Sequence, residues 1–318
     1  MELDFIATLQ DVAVLFSLIV IGFIAGRVGL ITEKGQKDIT QLTLNITMPA
    51  TIFMAMQLPM NKERLHTSFI IIGLMILIYA FMFTFGGLVS KRLPLTPGQK
   101  DIFQTATLLS NTSFMGYPIV GSLLGDEALF YAVVGAGFIF EVVSWSVGVY
   151  LTGRHGTETT EFNWKKIVFS PGVLSILVGL VFFAFQIPLS FNVAGHEIYA
   201  IEKVLRTLAP ATSPLAMIII GLILSRSNIQ EALQNKVLYL ASAIKLLIVP
   251  TIVTFALKAF GFSGPTLVIP VIMIAMPTAS YVAMFSANAG NDSKFASQLV
   301  FMSSLLSIIT IPLITLLF

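Results

Sequence analysis

The chain has 318 residues, of which 56% are hydrophobic and only 11% charged, with a mean hydropathy of +0.91. A soluble chain carries about 25% charged residues, so this composition excludes an ordinary soluble domain. A formal net charge of +2 without a basic cluster offers nucleic acid no surface, and the absence of cysteine removes disulfides and thiolate metal sites.

The apolar residues come in runs of roughly 20, the length a helix needs to cross about 30 Å of hydrocarbon. In chain order they predict ten transmembrane helices, at 5–25, 37–58, 67–90, 99–122, 127–151, 168–186, 199–225, 236–260, 265–289 and 294–317. The opening MELDFIATLQD is acidic and lacks the basic region of a cleaved signal peptide, so the first run is read as a retained helix. Thr96-Pro97 and Ser170-Pro171 each set a capping hydroxyl before a proline at the first helical position. The sixth run is short, and the seventh begins amphipathically as IEKVLRTL. No connection exceeds about 15 residues, against the roughly 50 of a small domain. His66, His155 and His196 fall in connections, which leaves no histidine relay within the membrane.

Twelve lysines and arginines follow odd-numbered helices, and five lie at the other connections. By the positive-inside rule, both termini face outward from the cell membrane. The chain also reads as two halves. Asn45 and Pro49 in LNITMPAT stand 165 residues before Pro210 and Pro214 in LAPATSPL. Asn111 in SNTSFMGYP stands 166 before Pro277 in AMPTASYV, and Gly125-Asp126 stands 166 before Asn291-Asp292. Coincident offsets indicate an internal repeat. Five helices per copy force the second copy to enter the membrane in the opposite sense. The expected fold is therefore an all-α integral membrane protein of two inverted five-helix repeats, 1–151 and 168–318, joined by a short cytoplasmic loop at 152–167.

The second, fourth, seventh and ninth helices are each interrupted by proline and small polar residues. Proline removes a backbone donor and frees a carbonyl four residues back, and such groups must face protein or a water-filled cavity. In inverted-repeat transporters, broken helices cross near the midplane and their ends supply the binding site. SNTSFMGYPIV and MPTASYVAMFSANAGN are the expected pair of crossovers, in helices 4 and 9. Asn111, Ser113, Thr278 and Ser280 would offer polar groups, Gly116 would permit close approach, and Pro118 and Pro277 would end regular pairing. The plainer reading is ordinary kinks whose Ser and Thr satisfy their own helices. It carries more weight at Pro49 and Pro214 than at the matched clusters in helices 4 and 9.

Two charges fall inside helices, Glu141 and Lys245. An unpaired charge at mid-membrane costs at least about 2.5–3.5 kcal/mol, so each needs a partner or water. They pair with each other, structurally or otherwise, or Lys245 balances an anionic substrate while Glu141 carries a proton. No span carries a paired Asp motif, a zinc-ligand cluster or a Ser-His arrangement, which argues against an intramembrane enzyme. No metal or cofactor is implied. A receptor would bring an output domain, and a channel would differ from a carrier in its kinetics. Without a GxxxxGK[ST] motif, energy has to come from gradients.

LNITMPATIFMAM, SNTSFMGYP and AMPTASYVAM together resemble the auxin efflux carrier family of membrane transporters, in its compact prokaryotic form, over essentially the whole chain. The resemblance implies a scaffold of helices 1, 2, 6 and 7 and a transport domain of helices 3–5 and 8–10 that slides like an elevator. It places Asn111, Pro118 and Pro277 on the crossovers, and Asn45 and Pro49 on the scaffold side facing substrate. Glu141 takes a polar position in the fifth helix on position alone. The implied cargo is a small organic anion, with a dicarboxylate such as malate first and an auxin-like indole acid as the alternative. Phe114, Tyr117, Tyr281 and Phe285 could line a slot for the latter. Coupling stays open between proton and sodium, the partners are lipid and substrate, and a homodimer is an expectation of the resemblance.

Overall fold

In the computed structural model, residues 5–158, 164–193, 196–226 and 229–318 are described. The chain is a helical bundle. Helix α1 (Phe5–Arg27) is followed by α2 (33–55), α3 (Lys62–Ser90) and α4 (Pro97–Leu108). Next come α5 (112–124) and α6 (126–153), which meet at Gly125, where φ of +80° turns the chain in a way only glycine adopts freely. Short α7 (Trp164–Val168) precedes α8 (Pro171–Phe185), then α9 (Ala200–Ser225), α10 (Ile229–Gln234) and α11 (Lys236–Ala259). Helices α12 (Pro265–Ala275), α13 (Ser280–Asn288) and α14 (Ser293–Thr315) complete the bundle.

Five helical segments are long and apolar enough to cross a membrane, Lys62–Arg92, Thr112–Gly153, Ala200–Ser225, Lys236–Ala259 and Ser293–Thr315, and shorter apolar ones lie at Val12–Arg27, Pro171–Phe185 and Pro265–Ala275. The protein is thus a multi-pass membrane protein. One small departure from all-α is an antiparallel ribbon, β1 (Phe191–Val193) with β2 (His196–Ile198), between α8 and α9. Two triplets are too short to show a strand period in the sequence.

The expected helix starts hold. Thr96 and Gln99 form a capping box before α4, and the Ser170 hydroxyl accepts from the Val173 amide at 3.2 Å. Proline shapes the helix interiors as well. Pro49, Pro118 and Pro250 each follow a widened π turn, at Thr43–Thr47, Thr112–Gly116 and Ile244–Ile248. A proline ring clashes with the carbonyl four residues back, and the wider turn makes room for it.

In one set of helices α1 packs on α9, α9 on α2 and α2 on α8; a second set joins α3 to α6 with α11 to α14, and contacts of α1 with α14 and α5, of α9 with α5 and of α8 with α6 tie the two together. In the first set α1 runs parallel to α9, and small residues bring the backbones together. A Cβ added at Gly22 would lie 2.2 Å from the Ile218 carbonyl oxygen, and one at Gly221 would lie 2.0 Å from that of Ile19. Gly26 meets Ser225 one turn further on. This is the spacing by which small residues four apart let membrane helices touch. Gly221→Leu is expected to destabilise the protein by roughly 3 kcal/mol, at the upper end for overpacking, because backbone cannot move aside as a side chain would. A thermal midpoint equal to the parent's would refute the contact.

In the second set, polar ties gather at one end of the bundle. Asp101, fully buried, bonds both Arg154 and His155. The Gln99 amide donates to Asp292 at 2.9 Å, and Asn291 donates to the Thr152 carbonyl at 2.8 Å. Its bond to Asp101 holds the Arg154 guanidinium above the ordinary arginine pKa. These ties lock the end of α6 to the start of α4 and to the turn before α14.

Candidate functional site

Both stretches expected to be crossovers are broken, and the breaks meet. Between α4 and α5, and between α12 and α13, the chain is extended, and Ser110 pairs antiparallel with Thr278. The Asn111 amide donates to the Pro277 carbonyl at 2.7 Å, and the Ala279 amide donates to the Leu109 carbonyl at 2.9 Å. Each break caps the other's helix. Ser110 donates its hydroxyl proton to the Ile274 carbonyl at 3.2 Å, and Thr278 donates to the Ala106 carbonyl at 3.4 Å. The freed backbone groups that would be costly in hydrocarbon are thus satisfied across the two halves of the chain.

Four helix ends converge here. The pairing is antiparallel, so the carboxyl end of α4 lies against α13 and that of α12 against α5. Ala279 gives α13 no side-chain cap, and Asn111 gives none to α5. Asn111 is 4% exposed, and its side chain makes no hydrogen bond among the described residues. Ser113 is buried in the π turn that follows, and Ser280 opens α13. A Cβ at Gly116 would come within 3.1 Å of Met273, which lets α5 lie close on α12.

A cavity of about 680 Å³ lies between the two helix sets and reaches α5 at Tyr117, Pro118 and Ser122. From the first set, Thr51 and Arg206 face it. The Thr51 hydroxyl lies 2.8 Å from both the Ala209 carbonyl and the Thr212 hydroxyl, which fixes α2 to the tight turn Ala209–Ala211 in α9, just before Pro214. Arg206 projects from the exposed first turns of α9 and bonds Glu202 through Nε at 2.6 Å. Sequence reasoning missed Arg206 and Thr51; Arg206 stands with Glu202 and Lys203 in the amphipathic opening of α9, a charge pattern that gives no sign of a cavity.

Asn45 and Pro49 lie elsewhere. They line a separate apolar groove of about 670 Å³ with Phe53, Phe182 and Leu205, and the Asn45 amide donates to the carbonyl of Gln41 in its own helix at 2.8 Å. Of the aromatic residues expected to line a slot, Tyr117 lines the cavity, while Tyr281 and Phe285 lie tilted against each other at 5.6 Å and meet Trp145 tilted at 6.0 Å and edge-on at 5.2 Å.

Glu141 and Lys245 do not pair, which corrects the simplest account of the two buried charges. Glu141 is 5% exposed, with Oε2 unpartnered, and its Oε1 sits beside Gly172 in the first turn of α8. Lys245 is 1% exposed and donates to the Thr107 carbonyl at 3.0 Å and to the Ser110 hydroxyl oxygen at 2.6 Å. The π turn that accommodates Pro250 carries Lys245. Helix α6 places Glu141 between two more π turns, Ala132–Gly137 and Ser144–Gly148.

Broken, mutually capped helices in an apolar bundle are the build of a membrane transporter. The model of the membrane transport protein family matches residues 7–315, and the chain belongs to that family, which is the family of the auxin efflux carriers. It is 24% identical over 312 residues to an uncharacterized transporter of Methanothermobacter thermautotrophicus, covering 97% of this chain and 98% of that one. An uncharacterized transporter of Methanocaldococcus jannaschii is 24% identical over 310 residues, with 95% and 96% covered. A Rhizobium meliloti protein named "Putative malonate transporter" is 23% identical over 310 residues, with 93% and 91% covered.

Proposed function

We propose that the protein is a secondary carrier of small organic anions, a dicarboxylate such as malonate or malate, in the cytoplasmic membrane with both termini outside. The observation that carries this reading is the unbonded Asn111 side chain, buried at the uncapped amino end of α5. Helix amino ends carry a partial positive charge and unpaired amides, which favour a carboxylate. The name of the Rhizobium meliloti relative points to the same substrate class.

Movement follows from the two helix sets. Helices α1, α2, α8 and α9 form the scaffold, held rigid by the close contact of α1 with α9. The other set slides past it as an elevator, carrying the paired breaks. The cavity at Pro118 lies between the sets, as such a motion requires. Two inverted five-helix repeats account for the reciprocal capping of the breaks. They also account for the matching glycine turns, Gly125 at φ +80° and Gly290 at φ +61°.

A dicarboxylate has a second pole, and we assign Arg206, on the cavity that reaches α5 at Tyr117 and Pro118, to serve it. Arg206 is exposed, so its contribution is about 1 kcal/mol and screened by salt. Arg206→Ala is expected to raise KM about fivefold for malonate, with little change for a monocarboxylate. Equal KM changes for both would remove Arg206 from substrate recognition.

The test of the reading itself is uptake into proteoliposomes challenged with malonate, malate, citrate and indole-3-acetate, with and without a pH gradient. A malonate or malate response supports the dicarboxylate carrier. A response to the indole acid alone moves the substrate class, and silence toward all four overturns the organic-anion assignment.

A further inference from the structure

Lys245 is the cation of this protein's crossing, and its ligands identify its task. Its ammonium bonds one helix carboxyl end directly, at the Thr107 carbonyl of α4. It bonds the other through Ser110, whose oxygen accepts from Lys245 at 2.6 Å while its proton goes to the Ile274 carbonyl of α12. Each helix carboxyl end carries roughly half a negative charge. Two of them meeting at a buried point make a site of about one negative charge, lined by oxygen atoms. Carbonyl and hydroxyl oxygens around such a potential are the ligand set of a hard monovalent cation. No carboxylate bonds Lys245 among the described residues, so the helix ends are its counter-charge.

We infer that Lys245 is a tethered cation that permanently fills an alkali-cation site formed by the carboxyl ends of α4 and α12, so that the breaks assemble without a bound sodium or potassium ion. The side chain is delivered by α11, a different helix from either break, and its π turn at Ile244–Ile248 sets the reach. A carrier whose crossing depended on a dissociable cation would lose the paired breaks each time the ion left. This one keeps them. The inference concerns how the breaks are held and does not depend on which anion is carried.

Truncating the side chain should open the site to small cations from solution. The experiment compares thermal unfolding midpoints of the purified full-length protein in choline, sodium, potassium and ethylammonium chlorides at matched ionic strength. Wild type is expected to show one midpoint in all four. Lys245→Ala is expected to lose several degrees in choline and to recover at least half of that in sodium or ethylammonium, saturably, as a ligand that binds only the folded state does. Lys245→Met, which fills the space with an uncharged chain, is expected to lose as much without recovery. A drop in Lys245→Ala that no small cation restores overturns the inference, as does a Lys245→Met variant as stable as wild type. The wild-type arm stands even where Lys245→Ala fails to fold: a saturable sodium-dependent rise in its midpoint means that the site is not already filled. These readouts follow the folded protein alone, so a failed substrate assignment leaves them unaffected.

Discussion

Replacing Asn111 with alanine is expected to lower affinity for the transported anion by roughly 10- to 100-fold while leaving the thermal midpoint within a few degrees of the parent. The two halves of this expectation have separate grounds. The backbone of Asn111 holds the crossing together: its amide donates to Pro277, and its carbonyl accepts from the amides of Met115 and Gly116. Alanine keeps all three bonds. The side chain bonds nothing among the described residues, so its removal costs the fold little. It is also the buried carboxamide nearest the uncapped start of α5, where a carboxylate would sit. A hydrogen bond to a charged group contributes about 1.5–3 kcal/mol, and about 1.4 kcal/mol is tenfold in affinity. Calorimetric titration of the purified variant with malonate checks it. Unchanged affinity would separate the break from the binding site.

The helices were legible because hydrocarbon imposes a length and a polarity on each crossing. Apolar runs of about 20 residues and the pairs Thr96-Pro97 and Ser170-Pro171 sufficed to locate most helix starts. The breaks were legible for a related reason: a cluster such as SNTSFMGYP has no place in lipid unless its polar groups are answered. What answers them was not legible. Thr107 and Lys245 are 138 residues apart, and Ser110 and Ile274 are 164 apart. No local period encodes contacts of that kind. The direction a side chain faces was hidden too. Asn45 shares a proline-marked stretch with the expected site, yet a π turn aims it at the other side of α2. The glycine contact of α1 with α9 was within reach, since GFIAG spaces two glycines four apart. Its partner, Gly221 with Ser225, carries only half of that signal.

The proposed sliding motion would treat the two buried charges differently. Lys245 bonds the breaks themselves, at Thr107 and Ser110, and would keep those bonds as the breaks moved. Glu141 lies beside Gly172 in the first turn of α8, a helix assigned to the proposed scaffold. A slide of the other helices past that scaffold would take this contact from Glu141, so of the two its environment would report position.

Glu141→Gln is accordingly expected to abolish accumulation driven by a pH gradient while preserving exchange of substrate for substrate. The carboxyl is buried, its Oε2 lacks a partner, and a charge left in hydrocarbon costs about 2.5–3.5 kcal/mol. In contact with α8 it lies beside Gly172 at the helix's amino end, whose partial positive charge favours a carboxylate. Away from α8 it lacks that contact. Proton occupancy is thereby tied to the position of the moving set, as coupling requires. One proton carried per substrate would support up to about tenfold accumulation for each unit of pH difference, since one unit corresponds to about 1.4 kcal/mol. Glutamine is near in size, stays neutral and still packs against Gly172, so the fold and the exchange reaction are expected to survive. The measurement is radiolabelled substrate uptake against an imposed pH gradient, followed by counterflow in the same vesicles. Loss of the first with retention of the second identifies Glu141 as the proton carrier. An unaltered pH dependence would leave it as a packing contact between the sets, and coupling would then have to be sought at the surface of the cavity, where Asp126 is the nearest carboxylate.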